Sequence, residues 1–392
     1  MASPVRALFV NSGILGQRTF ARFIDEAIVA HRDRVDGAQI VVADDLSIGE
    51  RLLRWALCAR LWPDDRAYVR NLDFGRYRAD LNAGIVADRR IRRLEQSGRT
   101  FDVLHFHRQT TAYASLGRMR RTPAIVSIDC TQRGAMQNAC SRIEERTYQS
   151  SIRRDGEIFD AAKLIIAASQ WAADSVRQDY PECTTDIVVM NNPVQLPLFD
   201  ERWAEERYAR ARAPHYRPRL LFVGGDFVRK GGYDLLTAWQ DGRFAERASL
   251  DLVTSWPIAA KWLGPGITVH DRVAIHSEAW RALWRQADIF VLPTRDEAFG
   301  IVFQEAAAAS LPAIGTAINA VPEIVTDGAT GLLVPPHSPD AIVSALDRLI
   351  ASADLCRALG TRARERVART ADPNTYRDRL VDYLHSVARL GN

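Results

Sequence analysis

Short apolar runs of strand length recur along this 392-residue chain, and helical patterns separate them. That alternation is the signature of βαβ units, in which parallel strands are buried on both faces by the helices that cross over them. In the first half the runs are Ala7–Val10, Gln39–Val42, Val103–Phe106, Ala124–Ile128, Leu164–Ala167 and Ile187–Met190. In the second half they are Leu220–Val223, Leu250–Val253, Ile289–Leu292, Ala313–Gly315 and Gly331–Val334. Between the two sets lies Glu201–Arg219, polar and arginine-rich, with Pro214 and Pro218. The chain exceeds the size of one ordinary domain. The expected fold class is therefore α/β, with two doubly wound Rossmann-like domains. We place the first at 1–200, a helix and linker at 201–218, and the second at 219–373. After Pro373 the spacing of Tyr376, Leu380, Tyr383, Leu384 and Val387 predicts a terminal amphipathic helix over 374–392.

Composition narrows the function classes. Hydrophobic residues make up 47% of the chain and charged residues 26%, the proportions of an ordinary globular protein, which excludes disorder, collagen and coiled coil. The net charge is only +4, whereas a dedicated nucleic-acid binder concentrates excess positive charge for phosphate contacts. Five cysteines without a CxxC pair suit reduced thiols rather than a disulfide framework or structural zinc. The N-terminus MASPVRALFVNSG lacks the h-region and cleavage site of a signal peptide, and no apolar run reaches membrane-spanning length. The expected location is cytoplasmic, with the inner face of the plasma membrane as an alternative.

The strongest chemical signal is ADIFVLPTRDEAFGIVFQEAAAASLPAIGT, where Glu297 and Glu305 bracket the passage from a buried strand to a helix start. Gly300 permits close backbone approach, and the amides from Phe299 through Ile301 to Val302 at a helix N-terminus attract phosphate or sugar oxygens. Glu297, in the preceding loop, can accept hydrogen bonds from hydroxyls. Glu305 lies about a turn and a half into the helix and reaches a second part of the same ligand. In RLLFVGGDFVRKGGYDLL a strand runs into Gly224 and Gly225, then Arg229 and Lys230, then a helix. Such a turn can cradle a diphosphate and stabilise charge developing on it. Lysine supplies only three of the 52 basic residues, and one of them stands here. The competing readings are solvated helix glutamates and an ordinary glycine-rich turn.

In the first half, Gly13 and Gly16 follow the first strand, His105 and His107 share one side of another, and Asp129 follows a third in SIDCTQRGAMQ. Each also fits a plain structural role: a tight turn, core packing, a loop cap.

These motifs resemble those of the retaining GT-B glycosyltransferases, specifically glycosyltransferase family four. The resemblance covers Leu220 to about Pro336 and is carried by EAFGIVFQE followed by LPAIGTAINAVPEIVTDGATGLLVPP. It implies two Rossmann-like domains facing a central cleft, with the last helix crossing back to the first domain. It implies a nucleotide-diphosphate sugar bound mainly by the second domain and transferred, with retention, to an acceptor hydroxyl held by the first. By this resemblance Glu297 contacts donor sugar hydroxyls, Glu305 the ribose, and the amides after Phe299 the sugar and diphosphate. Lys230 contacts the diphosphate, with Gly13, His107 and Asp129 on the acceptor side.

Three positions depart from the family pattern. Gly225 stands where an arginine often follows the first glycine of the turn, and Arg229 is the neighbouring cation that can replace it. Thr254 and Ser255 stand in LDLVTSWP where glycines are usual, and the loop at Arg272 and Val273 is the expected base contact. Asp129 stands where the family often carries a histidine. No aspartate is followed two positions later by another, so the DxD with which metal-dependent GT-A enzymes hold a cation is missing, and no metal or cofactor is expected. An epimerase or sugar phosphorylase of the same architecture and a non-catalytic nucleotide-sugar-binding protein are the alternatives.

Residues 51–121 hold 16 arginines against 7 acids, including RLLRWALCARLW, RRIRR and RMRR. An interfacial helix on anionic lipid has this pattern, and so does a buried helix with arginines at its edge. The acceptor, whether saccharide, lipid or small molecule, is not specified by the sequence.

Overall fold

In the computed structural model the described residues are 3–13, 17–59, 74–137 and 141–391. The chain divides into two compact units: Met1–Asn192 together with Asn374–Asn392, and Pro193–Pro373.

The first unit is built on six parallel strands, β1 (Val5–Asn11), β2 (Val35–Val41), β3 (Val103–His107), β4 (Ala124–Ile128), β5 (Leu164–Ala167) and β6 (Ile187–Val189). Their order in the sheet is β2-β1-β3-β4-β5-β6, with every pairing parallel. The strands β4 and β5 are wholly buried, as expected where helices cover both faces. One face packs in a cluster with Phe9, Phe23 and Ile166, and the terminal helix Pro373–Ala388 joins it through Tyr376, Leu380, Leu384 and Val387. The apolar stripe read from the sequence is the stripe that this helix buries.

The second unit repeats the design with β7 (Arg219–Val223), β8 (Ser249–Val253), β9 (Ile267–His270), β10 (Ile289–Leu292), β11 (Ala313–Thr316) and β12 (Gly331–Val334). Their order is β12-β11-β10-β7-β8-β9. Strand β9 is absent from the sequence-based expectation. It is an edge strand whose residues are half-buried or exposed, so it lacks the apolar run that marks the others. A second difference concerns 201–218, where the expected helix is present but does not join the units. Here Arg202–Ala211 is a helix of the second unit, with Trp203 and Arg207 buried. The chain passes between units at 192/193 and 373/374.

In both sheets the strand order reverses beside the first strand, between β1 and β3 and between β7 and β10. In open α/β sheets such a reversal leaves a crevice outside the carboxyl ends of the strands, where ligands bind.

Candidate functional site

In the second unit, the two loops at the reversal are the two segments that the motifs single out. One follows β7 and holds Gly224–Lys230; the other follows β10 and holds Pro293–Gly300. They touch because Gly231 has φ +72° and no side chain: a Cβ there would lie 1.9 Å from the carbonyl oxygen of Pro293. Backbone bonds lock the contact, with Arg295 N donating to Arg229 O at 2.8 Å. Arg229 turns its guanidinium to the Asp296 carbonyl at 2.7 Å and to Asp226 at 3.3 Å. It therefore braces the two loops. Beneath them Arg295 forms a two-armed pair with Asp234 at 2.6 and 2.8 Å, a geometry well matched to carboxylate.

This frame brings Lys230 and Glu297 into a direct ion pair, their side chains 14% and 11% exposed. Asn319 fixes the Glu297 backbone by donating to its carbonyl at 3.1 Å. Gly300, at φ +92°, then turns the chain into the helix Ile301–Ala308. The first amides of that helix, at Ile301 and Val302, have no preceding helical turn to accept from them. Phe299 is buried behind the turn. Four residues into the helix, half-buried Glu305 has no side-chain hydrogen bond or ion pair among the described residues, and burial alone pushes its carboxyl up from 4.5 to about 8.

At the carboxyl end of β8, Thr254 N donates to His270 O at 3.2 Å and the Thr254 hydroxyl accepts from Trp256 N at 3.1 Å. The Ser255 hydroxyl accepts from Arg272 N at 3.4 Å, which joins the two loops expected to meet phosphate or base; Val273 is half-buried there. Gly225 faces open space, with no atom within 4 Å of an added Cβ.

The first unit places its predicted residues at its own reversal. Gly13, at φ +74°, ends β1 so closely that a Cβ would lie 2.4 Å from Val41 Cγ1. Gly16 lies outside the described residues. His105 and His107 share a side, with ring centroids 6.4 Å apart. His105 Nε2 pairs with Ser127 Oγ at 2.7 Å, while His107 stacks on Phe20 at 3.8 Å. Burial pushes both imidazoles down to about 3, so both are neutral at neutral pH. Asp129 faces Arg108 at 3.4 Å.

Around that pair lies a buried polar cluster that motif reading missed. Asp155, wholly buried in the helix Arg142–Ala161, accepts from Gln132 N at 2.9 Å, Gln109 Nε2 at 3.3 Å and the Tyr113 hydroxyl at 3.1 Å. Burial pushes its carboxyl up to about 7 and that of nearby Asp80 to about 6. Among the described residues, His107 Nδ1, Gln109 Oε1 and Gln132 Oε1 are buried without a hydrogen-bond partner, while Arg108 Nε and Asp129 Oδ1 meet only as the 3.4 Å ion pair. Buried polar atoms are nearly always satisfied. Three unsatisfied ones and a loose ion pair at the carboxyl ends of β3 and β4 make a cluster suited to bond a polyhydroxylated or charged ligand. Among the described residues, no group of three or more His, Cys, Asp or Glu is arranged to hold a metal ion.

Two six-stranded doubly wound sheets with a terminal helix on the first make this a GT-B fold, and solved structures share it across nearly the whole chain. Sucrose-phosphate synthase from Thermosynechococcus elongatus superposes with TM-score 0.73 at 17% identity, covering 98% of this chain and 99% of that one. Anabaena HepE, solved with UDP-glucose, gives TM-score 0.64 at 15% identity over 97% and 99%. Residues 217–352 match the family described as Glycosyl transferases group 1. Among curated relatives, the α-maltose-1-phosphate synthase of Mycolicibacterium smegmatis is 29% identical over 243 residues, 56% of this chain and 62% of that protein. The D-inositol 3-phosphate glycosyltransferase of Streptomyces bingchenggensis is 37% identical over 242 residues, 56% of this chain and 52% of that protein. The chain thus spans less than two thirds of the length of these relatives.

Proposed function

We propose that this chain transfers a hexose from a nucleoside-diphosphate sugar to an acceptor hydroxyl, with retention at the anomeric carbon and without a metal ion. The observation that carries this reading is the Lys230–Glu297 pair, held where β7 and β10 diverge and beside the free amides of the Ile301–Ala308 helix. A bound donor would separate the pair. Lys230 and the amides of Ile301 and Val302 would then take the diphosphate, and Glu297 the sugar hydroxyls. As the bond from the anomeric carbon to the diphosphate breaks, negative charge grows on the leaving group, and fixed positive groups favour that state over the ground state. Arg229 contributes by holding both loops in register.

The acceptor would sit against Gln109 and Gln132, which keep unsatisfied oxygens, and against the loose Arg108–Asp129 pair. The names of the relatives, a maltose-1-phosphate synthase and an inositol 3-phosphate glycosyltransferase, support a phosphorylated sugar or cyclitol as acceptor. The UDP-glucose complex of the Anabaena neighbour supports a UDP-sugar donor.

The test is incubation with a panel of nucleotide sugars and acceptors, in EDTA, with nucleoside diphosphate release and anomeric configuration read by NMR. Transfer undiminished by EDTA with a retained α-linkage from an α-linked donor is expected. Inversion, or dependence on added metal, overturns those parts of the reading. Donor epimerised without acceptor, consumption only with inorganic phosphate, or binding without turnover would establish the epimerase, phosphorylase or sensor reading instead.

We also propose that the first unit rests on anionic lipid. Much of its arginine excess is spent internally: Arg90 and Arg93 pair with buried Glu50, and Arg118 with Asp88 and Glu95. Burial raises the Glu50 carboxyl, but hydrogen bonds from Arg90 and Ser47 N outweigh it and hold it down to about 2. The helix Ile48–Cys58 is different. Ile48, Leu52 and Trp55, at i, i+4 and i+7, are 77%, 62% and 74% exposed, with Arg51 and Arg54 alongside. Such a stripe suits the headgroup boundary. Arg60 to Asp73 lies outside the described residues. Co-sedimentation with phosphatidylglycerol vesicles should be strong at low salt and reduced at least about tenfold in Leu52→Glu/Trp55→Glu, a loss of roughly 1.4 kcal/mol. Equal partitioning of variant and parent removes the proposal.

A further inference from the structure

At the opposite end of the second sheet lies a cavity of about 410 Å³. Pro218, Asp288 and Pro312 line it, and each immediately precedes a strand, β7, β10 or β11. The cavity therefore opens at the amino ends of the strands whose carboxyl ends carry Lys230 and Glu297. Its volume falls in the range of small-molecule sites.

Its chemistry is graded from floor to mouth. At the floor, Asp288 is 4% exposed. One carboxylate oxygen, Oδ2, accepts from Arg219 N and the Tyr216 hydroxyl, both at 2.7 Å. The other, Oδ1, is buried without a hydrogen bond, and the Arg210 guanidinium stands 3.9 Å away. An oxygen in that state lacks a donor, and leaving it unmet costs free energy that a ligand hydroxyl would recover. Part-exposed Tyr208 and Ile350 supply apolar walls.

Buried Arg207 lines the same cavity. It donates only to main-chain carbonyls, those of Ala287 at 2.5 Å, Ser310 and Ala309 at 3.1 Å and Trp284 at 3.4 Å. Burial lowers its pKa to about 10, which still leaves it charged at neutral pH. Asp288 offsets this cation through space without a hydrogen bond, so one buried charge of each sign lines the floor. At the mouth, exposed Arg247 and Arg357 pair with exposed Asp347 and Glu205. Exposed pairs of this kind are worth at most about 1 kcal/mol. A ligand anion can take either guanidinium at little cost.

We propose that this cavity is a second small-molecule site, one that takes a flat hydroxylated anion about two rings across. The hydroxyl donates to Asp288 Oδ1, the rings lie against Tyr208 and Ile350, and the anionic group meets Arg247 and Arg357. The site is independent of the donor-site reading, because no lining residue belongs to the loops that follow β7 and β10.

The probe is 6-hydroxy-2-naphthoate, whose own fluorescence reports binding by anisotropy with the full chain. Saturable binding is expected, about tenfold weaker for 2-naphthoate, which lacks the hydroxyl, and about tenfold weaker in Arg247→Ala/Arg357→Ala. The mouth residue Ala351 is exposed, so Ala351→Trp should fold normally and block entry. UDP should not compete. Absence of saturable binding, equal affinity in the parent and all the variants, or displacement by UDP would overturn the proposal.

Discussion

Glu297→Ala and Lys230→Ala should each lower sugar transfer by at least about a hundredfold, with far-UV circular dichroism unchanged. The size follows from the role: one preorganised group aimed at charge that develops in the transition state is worth roughly two to three powers of ten in rate. The fold should survive because both side chains stand on loops at the carboxyl ends of the central strands β7 and β10, and neither belongs to the apolar core of the second unit. Each truncation leaves one largely buried charge without its partner, so a fall in Tm is expected in the absence of donor. The double variant distinguishes function from packing. Two groups that act on one donor are strongly non-additive in rate, so the pair removed together should cost little more than either alone. Turnover at the parent rate in both single variants would sink the assignment of this pair.

How much of this was legible beforehand depends on what each residue buries. Strands such as Ile289–Leu292 and Leu164–Ala167 could be read because both faces are covered, and every residue is apolar. Strand β9 could not, since an edge strand needs no apolar face. The helix Arg202–Ala211 reads as a polar joint because its anchor is Arg207, whose charge is met by four carbonyls contributed by residues 77 to 103 positions away. The same distance argument applies at the site. EAFGIVFQE and the GG–RK turn announce themselves by local pattern, and the structure brings Lys230 onto Glu297. The supporting pair Arg295–Asp234 spans 61 positions and leaves no local trace. In the first unit Asp155 looks like any polar residue in a helix rich in charge, and only the packing of that helix exposes its role. Sequence periodicity says which residues face inward; it does not say which polar groups meet there.

Glu305→Gln should change the pH dependence of both stability and donor binding. In the folded chain burial holds the Glu305 carboxyl at about 8, while in the unfolded chain it titrates near 4.5. The folded state therefore keeps a proton that the unfolded state has released. The stability tied to that proton is complete below pH 4.5, declines as pH rises, and is gone once pH passes 8. The slope is at most about 1.4 kcal/mol per pH unit, and partial solvent access reduces it. Glutamine cannot titrate, so Tm of the variant measured from pH 5 to 8 should fall less steeply than that of the parent, and the two curves should run parallel above pH 8. Donor binding follows the opposite course. Two ribose hydroxyls would donate to the ionised carboxylate, which favours loss of its proton. Affinity for a nucleoside diphosphate should then rise from pH 6 to 8 in the parent, with proton release visible as a buffer-dependent heat of binding. The glutamine variant should bind about tenfold more weakly at pH 8 and show neither the rise nor the proton release. Parallel stability curves throughout, together with a pH-independent affinity in the parent, would show that Glu305 is ionised at neutral pH and does not read the donor.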